Sequence, residues 1–593
     1  MKKFLLTFLG TLAGIWISLL IICIGLSVIL VAVGVSTLSG VKSMQIKSGS
    51  YLELTLAGEI TDRPGRLDPI GALRGEDNRT QGLDEIVGAI RLAADDDRIE
   101  GIVLDCRGSQ LGLVGRQAII EALKNFKSAA PSKWIYSYAD IYTQGDYYIA
   151  TASDSIFINP IGQVSVNGLS STEMYFKKLL DNLGVQIQVV KVGTYKSAVE
   201  PFIHDGISQP AREQQELYLT NIWTEVASQM AEGRDVSTDT VNGWADASIY
   251  AMPTPDYVSA KVVDRLMYRH EFDDKIAALT GKDSSADLTP VSPSEYCSIK
   301  DINQKGDGRG ATIAVLYACG EITDEIGDGI VSARLVPQIL ALAEDKDIDG
   351  LVMYVNSVGG STFASEQIWE ALEQWKSLTS KPFYVSMSDY AASGGYYISC
   401  GADRIYARPA TLTGSIGIYA LIPDISRLMS DKIGITTSTV STNPSGMLPT
   451  ILEPMTPAQR NAMQGYVDRG YELFTARCAA GRGMSQDSIK AIAEGRIWDG
   501  AEALKLGLVD ELGGLDDAIA GMAKQLNVST WTVRNYPERK NRWYDIILEA
   551  GSDIRSQMVR AELGDMAPVY ETVSRIRNMS VLQSRMDMFE ISL

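Results

Sequence analysis

The chain states one pattern twice. At a constant offset of 249 residues, Gly101 is answered by Gly350, Glu121-Ala122-Leu123 by Glu370-Ala371-Leu372 and Asp140 by Asp389. Tyr147-Tyr148-Ile149 returns as Tyr396-Tyr397-Ile398, Pro160 as Pro409 and Gly168 as Gly417. Upstream, Gly58-Glu59-Ile60-Thr61-Asp62 recurs letter for letter as Gly320 to Asp324. A repeat on this scale fixes the architecture before any local pattern is read. The 593 residues are too many for one core, and the repeat divides them into two related halves. The copies have lost different residues. Ser393, in Ala391-Ala392-Ser393-Gly394-Gly395, is matched by Gln144 in the first copy. Lys196, in the run Gly193 to Phe202, is matched by Ser445 or Gly446 in the second, depending on a one-residue slip. A serine kept in one half and a lysine kept in the other predict one active site shared between two degenerate domains.

Within each half, short β-rich runs alternate with amphipathic helices, the pattern of parallel α/β units. In the second half the letters predict strands at Thr312–Tyr317, Gly350–Asn356, Phe383–Met387 and Arg404–Ala407. Helices are expected at Val331–Ala343, at Phe363–Leu378 and after Ser393. The first half repeats this order, with about a dozen extra residues around Arg63 to Arg79. Lys282 to Gly310 is polar and rich in Ser, Asp, Pro and Gly, and reads as a linker. The resulting division is an N-terminal segment 1–45, a first repeat 46–281, a linker 282–310, a second repeat 311–536 and a tail 537–593. The tail is rich in Arg, Met and Glu and reads as helical. The letters do not choose whether it packs on the body, joins an interface between subunits or lies against a membrane.

After Lys2 and Lys3 no charge appears until Lys42, and Phe4 to Val35 is almost wholly apolar. A spanning helix needs about 20 apolar residues, and a signal-peptide core only about 7–15, so the segment reads as an uncleaved anchor. Positive charge before the span and none close behind it predict a cytoplasmic N-terminus, with the body on the far side. Gly10 and Gly14 form a G-x-x-x-G spacing, common by chance in such runs. The net charge of −19 argues against nucleic acid and is most simply an acidic, solvated surface. Six cysteines do not make a disulfide scaffold in a chain this long, and Cys106 and Cys400 sit in runs that read as core.

Ser393 is followed by two glycines and a helix-compatible run. That arrangement permits a tight turn and aims free N–H groups at an oxyanion from acyl transfer. By itself Ser-Gly-Gly is a common turn. A nucleophilic serine needs a base, and only His204 and His270 are present as histidines. His204 follows Lys196 closely and keeps a Ser-His version open, whereas His270 lies in a charged surface run. Lys196, among Val190, Val192, Ala198, Val199 and Phe202, is the alternative, since an apolar setting favours a neutral lysine. Val358-Gly359-Gly360 closes a buried strand with a glycine pair suited to backbone donors. Thr413-Gly414-Ser415-Ile416-Gly417 sets a hydroxyl in a glycine turn, able to orient the lysine. No metal-binding, Walker or dinucleotide motif is present, so no cofactor or metal is implied.

Three segments together carry a resemblance. Tyr195 to Phe202, Asp389 to Tyr397 and Thr411 to Gly417 are similar to those of the long, internally duplicated signal peptide peptidase A (protease IV) family of bacterial inner membranes. The resemblance runs from about residue 46 to 535 and includes the N-terminal anchor. It implies a Clp protease and crotonase type of fold, assembled as a homotetramer on the periplasmic side of the inner membrane. It also implies a peptidase that degrades signal peptides already released. By the same resemblance Ser393 is the nucleophile, Lys196 the general base, Ser415 the lysine's partner, and Gly394, Gly359 and Gly360 the oxyanion side. Val358 stands where the family pattern has proline. Two other readings remain at this stage: a crotonase-like acyl-CoA enzyme, and an inactive scaffold at the membrane surface.

Overall fold

The computed structural model describes residues 46–65, 80–306, 310–325, 327, 329–443, 445–538 and 583–586, together with positions 14 and 18. Apart from those two positions, the apolar segment 4–35 lies outside the described residues, as does most of the insertion near 63–79. Among the described residues no helix is long and apolar enough to cross a membrane.

Each half is a parallel sheet with helices packed on it. In the first half the strand order is Gln81–Gly82, Ser50–Thr61, Ile99–Gln110, Trp134–Tyr142, Ser155–Val164 and Arg265–Leu266, every pair parallel. In the second half Ala311–Cys319, Gly350–Ser357, Phe383–Ala392 and Leu412–Gly414 run parallel in that order. Arg404–Ala407 pairs with Phe383–Ala392, and Trp531–Tyr536 extends the far edge. Parallel strands covered on both faces read as unbroken apolar runs, and Leu351, Val352, Met353 and Val355 are wholly buried. The facing helix Thr362–Thr379 buries Ile368, Leu372 and Trp375 in one cluster with Leu351, Met353 and Val355, while Val352 packs on the other face of the sheet. Each such side chain stabilises the fold by about 1.5–3 kcal/mol. The repeat extends to two 26-residue helices, Gln209–Arg234 and Pro457–Arg482. Both open on a hydroxyl cap with proline in the first turn: Ser208 accepts from Ala211 N and Thr456 from Gln459 N.

A third sheet joins the halves. Gln186–Val192 of the first half runs antiparallel to Ile418–Asp424 of the second, from Val192 opposite Ile418 to Gln186 opposite Asp424. The cores meet as well, since Ala392, Leu412 and Ile497 pack into the same cluster as Leu104, Ile135 and Tyr147.

Two expectations need correction. Residues 282–310 are not a bare linker. Pro290–Val291 pairs with Tyr51 and Leu52, and Gln304–Lys305 pairs with Trp531 and Thr532. Between them Pro293–Ile299 is a helix opened by a capping box of Ser292 and Glu295. The segment's backbone groups find partners on the edges of both sheets, which its polar composition concealed. The tail, expected to be helical, is a strand at Gln583–Arg585. Its neighbours are the short strand Gly359–Ser361 and the strand Ile418–Asp424, whose edges supply the pairing that a polar tripeptide cannot supply itself. The remainder of the tail beyond Glu538 lies outside the described residues.

Candidate active site

Strand Phe383–Ala392 ends where Ser393 turns the chain into the short helix Gly394–Ser399. Ser393 has φ 57° and ψ −113°, a conformation that costs a non-glycine residue about 1–3 kcal/mol. The turn is held because Ser393 N donates to Gly414 O at 2.7 Å and Tyr397 N donates to Ser393 O at 2.8 Å. Ser393 is fully buried.

Lys196 arrives from the other half. The antiparallel pairing of Gln186–Val192 with Ile418–Asp424 ends just before it, and Gly193, at φ 115°, turns the chain inward. Tyr195 N donates to Glu494 O at 2.9 Å, fixing the loop on the second half. Gly495 and Gly417 make room for the lysine: a Cβ on Gly495 would lie 2.7 Å from Lys196 Cβ, and one on Gly417 3.3 Å from Lys196 Cδ. The side chain is 1% exposed, and its Nζ ends 2.8 Å from Ser393 Oγ. It also lies 3.0 Å from Ser415 Oγ and 3.1 Å from Ser415 O. Ser415, itself at φ 49°, is set by its N–H donating to Arg496 O at 2.7 Å.

Gly359 and Gly360 approach from the end of Gly350–Ser357, with φ 97° and 157°. A Cβ on Gly359 would fall 2.7 Å from Gly394 N, so the missing side chain keeps the space before that donor open. The substitution of Val358 for proline leaves the glycine pair in this position. Thus Ser393, Lys196, Ser415, Gly394, Gly359 and Gly360 converge on one buried point. The histidines do not join them. His204 is exposed after helix Glu200–Ile203, and His270 is exposed and stacked on Tyr268.

The sequence profile of peptidase family S49 matches residues 127–281 and again 376–529, and that of Clp protease matches 315–412. Protease 4 of Salmonella typhi is 33% identical over 88% of this chain and 85% of its own length. Protease 4 of Haemophilus influenzae is 33% identical over 85% of this chain and 84% of its own. A protein of Enterococcus faecium described as a signal peptide peptidase SppA is 32% identical over 44% of this chain and 79% of its own. The chain belongs to peptidase family S49. It is a serine peptidase whose S49 domain, of Clp protease-like α/β fold, is present twice, and the acyl-CoA enzyme and scaffold readings fall away.

In this S49 peptidase the first copy of the site is plugged rather than empty. Gln144 occupies the position equivalent to Ser393; its Oε1 accepts from Asn167 N at 2.6 Å and Gly168 N at 3.0 Å. Its Nε2 donates to Gly168 O at 2.9 Å. The glutamine thus satisfies backbone donors around its own turn. The segment that would match Lys196 in the second half is also out of play, with Ser445 and Gly446 both exposed.

Two features of the site were not read as site residues from the letters. Asp389, four residues before Ser393, crosses to the first half, where its Oδ1 accepts from Val114 N at 2.8 Å. It thereby caps helix Leu113–Ala129, whose N-cap position, Gly112, has no side chain to do so. A Cβ at Gly112 would lie 2.1 Å from Asp389 Oδ2. Burial and the nearby Asp62 push the Asp389 carboxyl up to about 6, against the pull of Val114 N–H and Arg116. The other is Ser584, whose hydroxyl lies 2.8 Å from Ser393 Oγ.

Proposed function

We propose that this S49 peptidase works through a Ser-Lys dyad in which Ser393 attacks the peptide carbonyl and Lys196 takes its proton. The observation that carries the reading is the 2.8 Å approach of Lys196 Nζ to Ser393 Oγ, inside the range of about 2.6–3.2 Å that direct proton transfer requires. Ser415 holds the amine on the nucleophile through its hydroxyl and carbonyl. As negative charge develops on the carbonyl oxygen, Gly394 N–H at the start of its helix faces it, with the Gly359-Gly360 backbone forming the opposite wall. On collapse Lys196 returns the proton to the leaving nitrogen. The acyl ester is then hydrolysed by a water that the same amine deprotonates.

The substrates in this reading are extended peptides, signal peptides already released among them, as the name of the Enterococcus faecium relative suggests. The apolar run 4–35 anchors the chain in the bacterial inner membrane with its N-terminus in the cytoplasm and the body periplasmic. The working assembly is a homotetramer. Its acidic surface, without clustered basic residues, leaves nucleic acid out of the partner list.

The decisive experiment is peptide hydrolysis by Ser393→Ala, Lys196→Arg and His204→Ala. The first two fall to background, because a guanidinium does not lose its proton at working pH. The third keeps most of its activity. Turnover by Lys196→Arg within tenfold of wild type would refute the lysine's role.

A further inference from the structure

Helix Gln209–Arg234 follows the lysine loop, and its second turn carries Gln214, whose side chain is buried between the halves. Gln214 Nε2 donates to Tyr195 O at 3.2 Å and to Ser197 Oγ at 3.3 Å, the residues on either side of Lys196. Its Oε1 accepts from Ile497 N at 3.1 Å, in the second half. Ile497 stands opposite Gly414, where Ile497–Asp499 runs antiparallel to Leu412–Gly414. Gly414 O accepts from Ser393 N at 2.7 Å, and Arg496 O, next to Ile497, accepts from Ser415 N at 2.7 Å. One amide therefore spans from the loop of the lysine to the backbone that seats both Ser393 and Ser415.

The start of the same helix holds the loop farther downstream. Glu200 N donates to Ser197 O at 2.7 Å, while Ser208 donates to the Glu200 carboxylate, its hydroxyl at 2.7 Å and its N–H at 3.1 Å. Gln214 adds a grip on both neighbours of Lys196 at once. A misplacement of about 1 Å at the reacting atoms can cost about a hundredfold in rate, so that grip has a kinetic meaning. The repeat supplies an independent sign. Counted from their caps, Gln209–Arg234 and Pro457–Arg482 have equal length, and the position of Gln214 falls on Ala462, which is exposed. The glutamine stands in the half that holds the lysine and is missing from the half that lacks it.

We propose that Gln214 is a positioning residue for the general base: it acts through Lys196, holding Nζ on Ser393 Oγ, and ties that placement to the docking of the second half through Ile497. The role rests on the Ser-Lys reading above. Gln214 itself touches neither Ser393 nor the glycines of the oxyanion side, so its loss falls on proton transfer and not on the binding of peptide. Gln214→Met keeps the length and the burial but has nothing to donate to Tyr195 O or to accept from Ile497 N. The loop then keeps its contacts at Glu494 and Glu200 and loses the bond that fixes it on both sides of the lysine.

The test measures steady-state peptide hydrolysis and the rate at which a fluorophosphonate labels Ser393 in full-length protein, with urea midpoints alongside. Gln214→Met loses about ten- to a hundredfold in kcat and in labelling rate, with KM within about twofold and circular dichroism native. Gln214→Glu, which keeps an acceptor for Ile497 N and loses the donor to Tyr195 O, shows the same loss and serves where the methionine variant does not fold. Asn221→Ala breaks another bond from this helix to the second half, Nδ2 to Asp499 Oδ2 at 2.8 Å. It lowers the midpoint and keeps kcat within about twofold. In a Lys196→Ala background, where only slow labelling remains, adding Gln214→Met changes the rate by less than about twofold, because the group it positions is gone. Wild-type kcat in the folded Gln214 variants, or an equal loss in Asn221→Ala, overturns the positioning role and leaves the dyad standing. A further tenfold loss in the Lys196→Ala background overturns action through the lysine. Labelling of Lys196→Ala at the wild-type rate overturns the dyad and this role with it.

Discussion

Asp389→Asn should stabilise the protein above pH 6 and leave it unchanged near pH 4. The carboxyl ordinarily titrates near 3.8 and is pushed up to about 6, chiefly by burial between the halves. A group whose folded-state value is raised favours its protonated form in the fold. Its stabilising contribution is complete below about pH 4 and is lost as the pH climbs through 6. The displacement from 3.8 to about 6 corresponds to about 3 kcal/mol, and this is an upper bound because the residue is only partly shielded from solvent. Asparagine has the same shape, keeps an oxygen to accept from Val114 N and never ionises. Urea midpoints for both proteins between about pH 4 and pH 8 give the answer. The advantage of the variant should grow from near zero to as much as about 3 kcal/mol across that window, with its midpoint between the two titrations. A difference flat with pH, or one that shrinks as pH rises, would refute the idea that a buried carboxylate opposes docking of the halves.

Three further outcomes follow from the site. Ser415→Ala removes the 3.0 Å hydroxyl contact to Lys196 and keeps the 3.1 Å carbonyl contact, so kcat should fall about ten- to a hundredfold with KM nearly constant; an unchanged kcat in steady-state assays would exclude a positioning role. Gly359→Ala combines a residue at φ 97° with a Cβ 2.7 Å from Gly394 N. It should cost about 10²–10³ in kcat/KM, the scale of a lost oxyanion donor, while circular dichroism stays native. Gln144→Ala strands Asn167 N and Gly168 N and should destabilise the fold by about 1–3 kcal/mol without changing kcat, read from a denaturation midpoint and a peptide assay side by side.

Much of this was legible because it repeats. Strands such as Gly350–Ser357 and Arg404–Ala407 are short apolar runs between turn residues, and their structural bounds agree with the letters to within a residue. Ser393 and Lys196 stood out since each was missing from the other copy, and Gly417 because both copies kept it. What escaped was decided by tertiary partners. Asp389 looked like a repeated strand residue, although its oxygen caps a helix 275 positions earlier in the chain. Gln583-Ser584-Arg585 has neither period nor apolar content and becomes a strand only because two edges receive it. The helix Pro293–Ile299 is different: Ser292 and Glu295 spell a capping box that was there to be read.

The plug at Gln144 carries a meaning for descent. Restoring a serine at 144 would not rebuild a second centre, because it would sever three bonds that now hold the turn. The positions that would have to supply its lysine, Ser445 and Gly446, stand in solvent. Equally, a lysine placed there first would find a glutamine and no nucleophile. Each half has thus become hostage to the other, and no single substitution leads back to a symmetrical ancestor with two centres. The duplication works as a ratchet: once serine and lysine had parted company, selection on either copy could only tighten the bond between them.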